Sequence, residues 1–98
     1  MIKLLIVDDH QIVREGLELF FSKSYKDLHI KVVGSVATGM EALSFLENTI
    51  PDIVLLDYSL PDMNGNELMQ SMLGKTPSLN IIFLTANNSV QMAEELLN

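Results

Sequence analysis

Three aspartates stand where chemistry could be done with them. Leu4-Leu5-Ile6-Val7 runs straight into Asp8-Asp9, and Ile53-Val54-Leu55-Leu56 runs into Asp57. A buried strand that ends in a carboxylate carries it to one rim of its sheet. If the two strands are parallel neighbours, all three carboxylates meet at the carboxyl edge, where open α/β sheets place their ligands. Such a cluster repels itself. The repulsion is relieved by raised pKa values or by a divalent cation, and hard oxygen ligands of this type suit Mg²⁺, which keeps part of its water shell. The site asks for a metal and, beside it, a phosphoryl group. Taken singly, Asp8 and Asp9 are also good caps for a following helix, and Asp57 is a reasonable turn residue ahead of Pro61.

The elements that must position these side chains alternate between short apolar runs and helical patterns, the mark of βαβ units around a parallel sheet. Residues 2–7 read as a first strand. Ile12, Val13, Leu17, Phe20 and Phe21 recur behind it at helical spacing, until a polar break at Ser22 to Asp27. Ile30 to Val36, rich in β-branched residues, is a second strand, and Thr38-Gly39-Met40-Glu41 has capping-box spacing ahead of a helix carrying Leu43 and Leu46. After Pro51-Asp52 come a third strand, Ile53 to Leu56, and a turn-rich loop, Leu60-Pro61-Asp62-Met63-Asn64-Gly65. Leu68, Met69 and Met72 mark a third helix that Gly74 should stop, Asn80 to Leu84 is a fourth strand, and Ser89 to Leu97 begins a fourth helix. The expected fold is α/β, a doubly wound parallel sheet.

Composition narrows the function. The 98 residues make a single domain, 1–98, in which 48% of residues are apolar, enough for a core. A net charge of −7 argues against nucleic-acid binding by this segment, so any DNA contact comes from another domain. The absence of cysteine removes disulfides and thiolate zinc sites and makes a reducing cytoplasm acceptable. No run is long enough to span a membrane, and the apolar start is too short for a signal peptide and ends in two acids.

Three motifs, Leu5-Ile6-Val7-Asp8-Asp9-His10, Asp57-Tyr58-Ser59-Leu60-Pro61-Asp62-Met63-Asn64-Gly65 and Leu84-Thr85-Ala86, closely resemble the receiver domain of two-component response regulators. The run from Asp8 to Leu17 is most similar to the NarL/FixJ branch, whose members usually carry a C-terminal helix-turn-helix domain. The resemblance implies a flavodoxin-like sheet in the order 2-1-3-4-5. It implies that Asp57 is the phosphoacceptor, taking its phosphoryl group from a sensor histidine kinase. Asp8, Asp9, Asp57 and the backbone carbonyl of Ser59 would hold Mg²⁺, and the Thr85 hydroxyl would bond a phosphoryl oxygen. It also implies that Ser59 and Asn87 flank the path of the hydrolytic water. On this reading the chain is a switch rather than an enzyme, and the output is transcription regulation through a DNA-binding domain outside it.

Some residues have plainer roles. Thr85 alone would pass for a β-former at a strand end, His10 for a solvent-facing residue of the first helical turn, and the six methionines for adaptable core filler. The rival function is a magnesium-dependent aspartate-nucleophile phosphatase. That class wants its nucleophile at the end of the first strand with an acid two residues on, and His10 and Gln11 occupy those places. The family's lysine and aromatic residue on the fifth strand have no counterpart here, so we read the sequence as a fragment lacking the last βα unit. A chain that ended at Asn98 would leave residues 80–84 as an apolar edge, prone to aggregate or to pair as a homodimer.

Overall fold

The computed structural model describes residues 1–24 and 29–84. Within them run β1 (Ile2–Val7), α1 (Gln11–Ser24), β2 (Ile30–Val36), α2 (Gly39–Leu46), β3 (Ile53–Asp57), α3 (Gly65–Lys75) and β4 (Asn80–Leu84). The four strands form one parallel sheet in the order β2-β1-β3-β4. This is the order the resemblance implies for its first four strands. The helix expected from Ser89 lies outside the described residues.

Continuous apolar runs in β1 and β3 follow from burial on both faces of the sheet. Because successive strand side chains alternate in direction, Leu5, Val7, Val54 and Leu56 share one face with Ala42 and Leu46 of α2 and with Leu68 and Met72 of α3. Leu4, Ile6, Leu55 and Leu84 take the other face, where Leu17 and Phe21 of α1 pack. The sheet is therefore doubly wound. Between Leu4 and Leu5 the pairing with β2 slips by one residue, which brings Leu5 opposite Gly34. A side chain there has no room: a Cβ on Gly34 would lie 2.5 Å from Cε2 of Phe45.

Local chemistry explains the helix ends. Thr38 caps α2 and accepts the Glu41 amide through its hydroxyl, as the capping-box spacing predicts. Asn64 does the same for α3. It accepts the Glu67 amide at 2.8 Å and donates its own side-chain amide to the Glu67 carboxylate at 2.7 Å. Asn64 and Gly65, expected in the loop, thus begin a helix, and the Asn-x-x-Glu spacing was the signal for it. Two stops are also corrected. The first helix continues through Ser22 as far as Ser24, and α3 passes Gly74 to end at Lys75, where the Thr76 amide bonds the Met72 carbonyl.

Two packing expectations change as well. Ile12 is 84% exposed, because the side chains of α1 that meet the sheet are Leu17 and Phe21, four residues apart, and Ile12 lies off that line. Of the methionines, Met72 is fully buried, but Met1 and Met40 are largely exposed and are not core filler.

Candidate acidic site at the carboxyl edge of the sheet

Parallel register decides where the acids meet. Val7 pairs with Leu56 across β1 and β3, so the next residues, Asp8 and Asp57, leave adjacent strands at the same edge. The Asp8 amide still bonds the Val36 carbonyl of β2, and the Tyr58 amide bonds the Leu84 carbonyl of β4. Both aspartates are thereby held by backbone on their flanks. Their side chains are 7% and 6% exposed, whereas Asp9 is 35% exposed at the mouth.

Ligand atoms from Asp8, Asp9, His10 and Asp57 all lie within 4.8 Å of one another. His10 is the residue that sequence reasoning placed in solvent. Its side chain is 58% exposed, yet Nδ1 lies 2.8 Å from Oδ1 of Asp8, 3.1 Å from Oδ1 of Asp9 and 3.8 Å from Oδ2 of Asp57. The His10 amide also donates to Asp8 Oδ1 at 2.8 Å, and the His10 carbonyl accepts the Arg14 amide in the first turn of α1. Arg14 itself donates from Nη1 to the Asp8 carbonyl at 2.6 Å. The placement of His10 immediately after the acid pair was the available signal.

The electrostatics follow from burial and charge. Burial is the main force pushing the Asp57 carboxyl above its usual range, and the charges of Asp8 and Asp9 add to it; the Ser59 amide and His10 oppose the rise. The hydrogen bond to Asp8, then the charges of Asp9 and Asp8, hold the His10 imidazolium above its ordinary pKa. One Asp57 oxygen, Oδ1, accepts the Ser59 amide at 3.2 Å. Asp57 Oδ2 accepts no hydrogen bond among the described residues.

Ser59 sits two residues beyond Asp57 and bridges to Asn64 across the loop, a placement close to the acids. Thr85 and Asn87 fall outside the described residues. Sequence reasoning also missed Asp62. Its two carboxylate oxygens accept the amides of Gly39 and Met40, both at 2.9 Å, closing the first turn of α2 from the loop that follows Asp57. With the Thr38 hydroxyl bonding the Glu41 amide, the free amides of the first three helical residues are all satisfied.

Those two amide bonds hold the Asp62 carboxyl below the usual carboxylate range. A depressed folded-state pKa contributes stability that is present above the unfolded value and is lost as pH falls through the folded one. Asp62→Ala should cost about 1 kcal/mol at neutral pH, the scale of a lost helix cap. Melts of both proteins from neutral to acid pH should show the difference shrinking below the ordinary Asp range; a constant difference would deny the carboxylate this role.

No helix among the described residues is long and apolar enough to cross a membrane. Residues 4–98 match the family described as the response regulator receiver domain. The transcriptional regulatory protein YhcZ of Bacillus subtilis (strain 168), described as uncharacterized, is 45% identical over 84 residues, covering 86% of this chain and 38% of YhcZ. The DNA-binding transcriptional activator DevR/DosR of Mycobacterium tuberculosis is 37% identical over 89 residues, covering 91% of this chain and 40% of its own length. The chain thus spans about two fifths of these curated relatives. Among solved structures, RcsB of Salmonella enterica serovar Typhimurium, bound to promoter rprA in the presence of phosphomimetic BeF3⁻, has a TM-score of 0.77 at 26% identity; the match covers 86% of this chain and 47% of that one. A match over nearly the whole sequence, on a sheet with the expected strand order, means that this chain belongs to the response regulator receiver family.

Proposed function

We propose that this domain accepts a phosphoryl group on Asp57 from the phosphohistidine of a sensor histidine kinase, and that the change switches a transcription-regulating, DNA-binding domain elsewhere in a cytoplasmic protein. The observation that carries the reading is the Asp57 carboxylate. It is more than nine-tenths buried, stands beside two further carboxylates, and keeps one oxygen without a hydrogen bond among the described residues. The descriptions of DevR/DosR as a DNA-binding activator and of RcsB on a promoter with a phosphomimetic support the output and the modification.

The donor set fits a hard divalent cation. Asp8, Asp9 and Asp57, with the Ser59 carbonyl, would hold Mg²⁺. When bound, it supplies positive charge that offsets both the acid cluster and the phosphoryl oxygens. The Asp57 carboxylate supplies the attacking oxygen, and the Ser59 amide holds Oδ1 and so orients the group. An O–P bond forms as the P–N bond of the donor breaks, and the donor imidazole leaves. Asp8 and Asp57 are held by strand backbone, so little reorganisation accompanies the step. Thr85 is assigned the hydroxyl that donates to a phosphoryl oxygen.

Incubation with acetyl phosphate and Mg²⁺ tests the function. A receiver should gain one phosphoryl group, read as intact mass; release of many equivalents of phosphate would instead support the aspartate-nucleophile phosphatase. The metal assignment has its own check. Mg²⁺ at roughly a hundred times its dissociation constant should stabilise the fold by about 2.7 kcal/mol. The melting temperature should rise accordingly in the wild type and stay flat in Asp9→Ala. An equal rise in both proteins would place the metal elsewhere.

A further inference from the structure

The cation site proposed above is described by its oxygens, but a nitrogen also lies within 4 Å of an oxygen from each of the three carboxylates. Nδ1 of His10 lies 2.8 Å from Asp8 Oδ1 and 3.1 Å from Asp9 Oδ1. With metal–donor bonds of about 2.1 Å, donors at a right angle stand about 3.0 Å apart, and tetrahedral donors about 3.4 Å. The His10 separations from Asp8 and Asp9, a hydrogen bond and an ion pair when no metal is bound, are also close to the edge lengths of a coordination polyhedron. The Asp57 oxygen at 3.8 Å closes onto the same centre with a small movement.

Two further observations point the same way. Asp57 Oδ2, on a side chain only 6% exposed, faces His10 with no hydrogen-bond donor among the described residues, as an oxygen awaiting a cation does. The ring is also held in place. The His10 amide is fixed to Asp8 and its carbonyl to Arg14, so the imidazole stands over the mouth of the cluster.

We propose that His10 is a nitrogen ligand of this cation site, giving it a preference for first-row transition metals that an all-oxygen receiver site would lack. Imidazole suits Co²⁺, Ni²⁺ and Zn²⁺, whereas Mg²⁺ favours carboxylate, carbonyl and water and gives up its water reluctantly. Removing the imidazole should therefore lower affinity for the first group and spare Mg²⁺. The inference rests on the metal reading of the proposed function but goes beyond it in ligand set and metal choice.

The sequence has two histidines. His29 adjoins the start of β2, at the opposite end of the sheet, with a φ of 57° that asparagine tolerates well. A His29→Asn protein thus keeps His10 as its sole imidazole. Calorimetric titration with Mg²⁺ and, separately, Co²⁺ at about pH 8, above the ordinary imidazole range, compares that protein with the same protein also carrying His10→Gln. The Co²⁺ dissociation constant should rise roughly ten- to hundredfold, at least the cost of losing an outer partner of a metal ligand, while that for Mg²⁺ stays put. NMR of the Co²⁺-loaded proteins should show paramagnetically shifted imidazole signals, the mark of a directly bound nitrogen, that His10→Gln removes. Equal effects on both metals, or no bound nitrogen, would overturn the role of His10 and leave the Mg²⁺ site standing. Failure of Mg²⁺ itself to bind the His29→Asn protein would refute the metal reading as a whole.

Discussion

Asp57→Asn is expected to abolish phosphoryl uptake and, without metal, to raise the melting temperature. The two effects have one origin. An amide matches the carboxylate in shape and still offers Oδ1 to the Ser59 amide, so the fold is kept, but it supplies no anionic nucleophile. It also carries no charge into a buried site beside Asp8 and Asp9. Burial first, and then those neighbours, raise the Asp57 pKa in the folded protein. A raised carboxyl makes the folded state bind more protons than the unfolded chain between the two pKa values. Stability therefore falls as pH climbs from the unfolded value through the folded one, and stays lower above it. The advantage of asparagine should be full at neutral pH and disappear in acid below the unfolded value. Intact mass after acetyl phosphate treatment and melts in chelator at both pH values read the two effects. Retained phosphoryl group, or a lower neutral-pH melting temperature than wild type, would count against this account of Asp57.

Gly65→Ala should damage the fold and the site together. A Cβ at Gly65 would stand 2.8 Å from the Tyr58 Cα, 2.9 Å from Cε1 of Phe83 and 3.1 Å from the Asp57 carbonyl oxygen. The nearest of these atoms is backbone, which cannot swing aside. Alanine is the better helix former by up to about 1 kcal/mol, but the overpacking cost of about 1–3 kcal/mol is larger and decides the sign. A domain of this size loses about 4–8 °C in melting temperature for each kcal/mol. Because the crowded atoms belong to Asp57 and its neighbour, phosphoryl uptake should slow as well. Gly16→Ala is the control: it lies inside α1 with nothing within 4 Å of a new Cβ, so it should gain about 0.5–1 kcal/mol. Chemical denaturation of the three proteins measures the contrast, and a Gly65→Ala protein as stable as Gly16→Ala would show that the loop yields freely.

Several features were legible because they are local or periodic. Apolar runs four residues long, each closed by acid, set β1 and β3 and put Asp8 and Asp57 at their ends. The Thr38-x-x-Glu41 spacing marked the start of α2. Receiver-like motifs then supplied the strand order, which local pattern alone does not contain. Helix ends were read less well. Gly74 and Ser22 are only weak stops where the following turn still finds hydrogen-bond partners, and Asn64 resembled a turn residue because the same side chain serves turns and caps.

By itself, the sequence determined that three carboxylates end two buried strands, since alternation and burial on both faces leave no other place for such runs. Tertiary structure decided what surrounds those acids. Whether His10 faces water or the cluster depends on where the first turn of α1 sits over the edge of β1, and Asp62 reaches Gly39 across 23 residues of chain. Register and loop path set both contacts; for His10 its place beside the acid pair is a partial guide, and for Asp62 no spacing along the chain is one. The same separation in space sets the pKa of Asp57: its burial and its charged neighbours exist once β1 and β3 lie side by side, and not before.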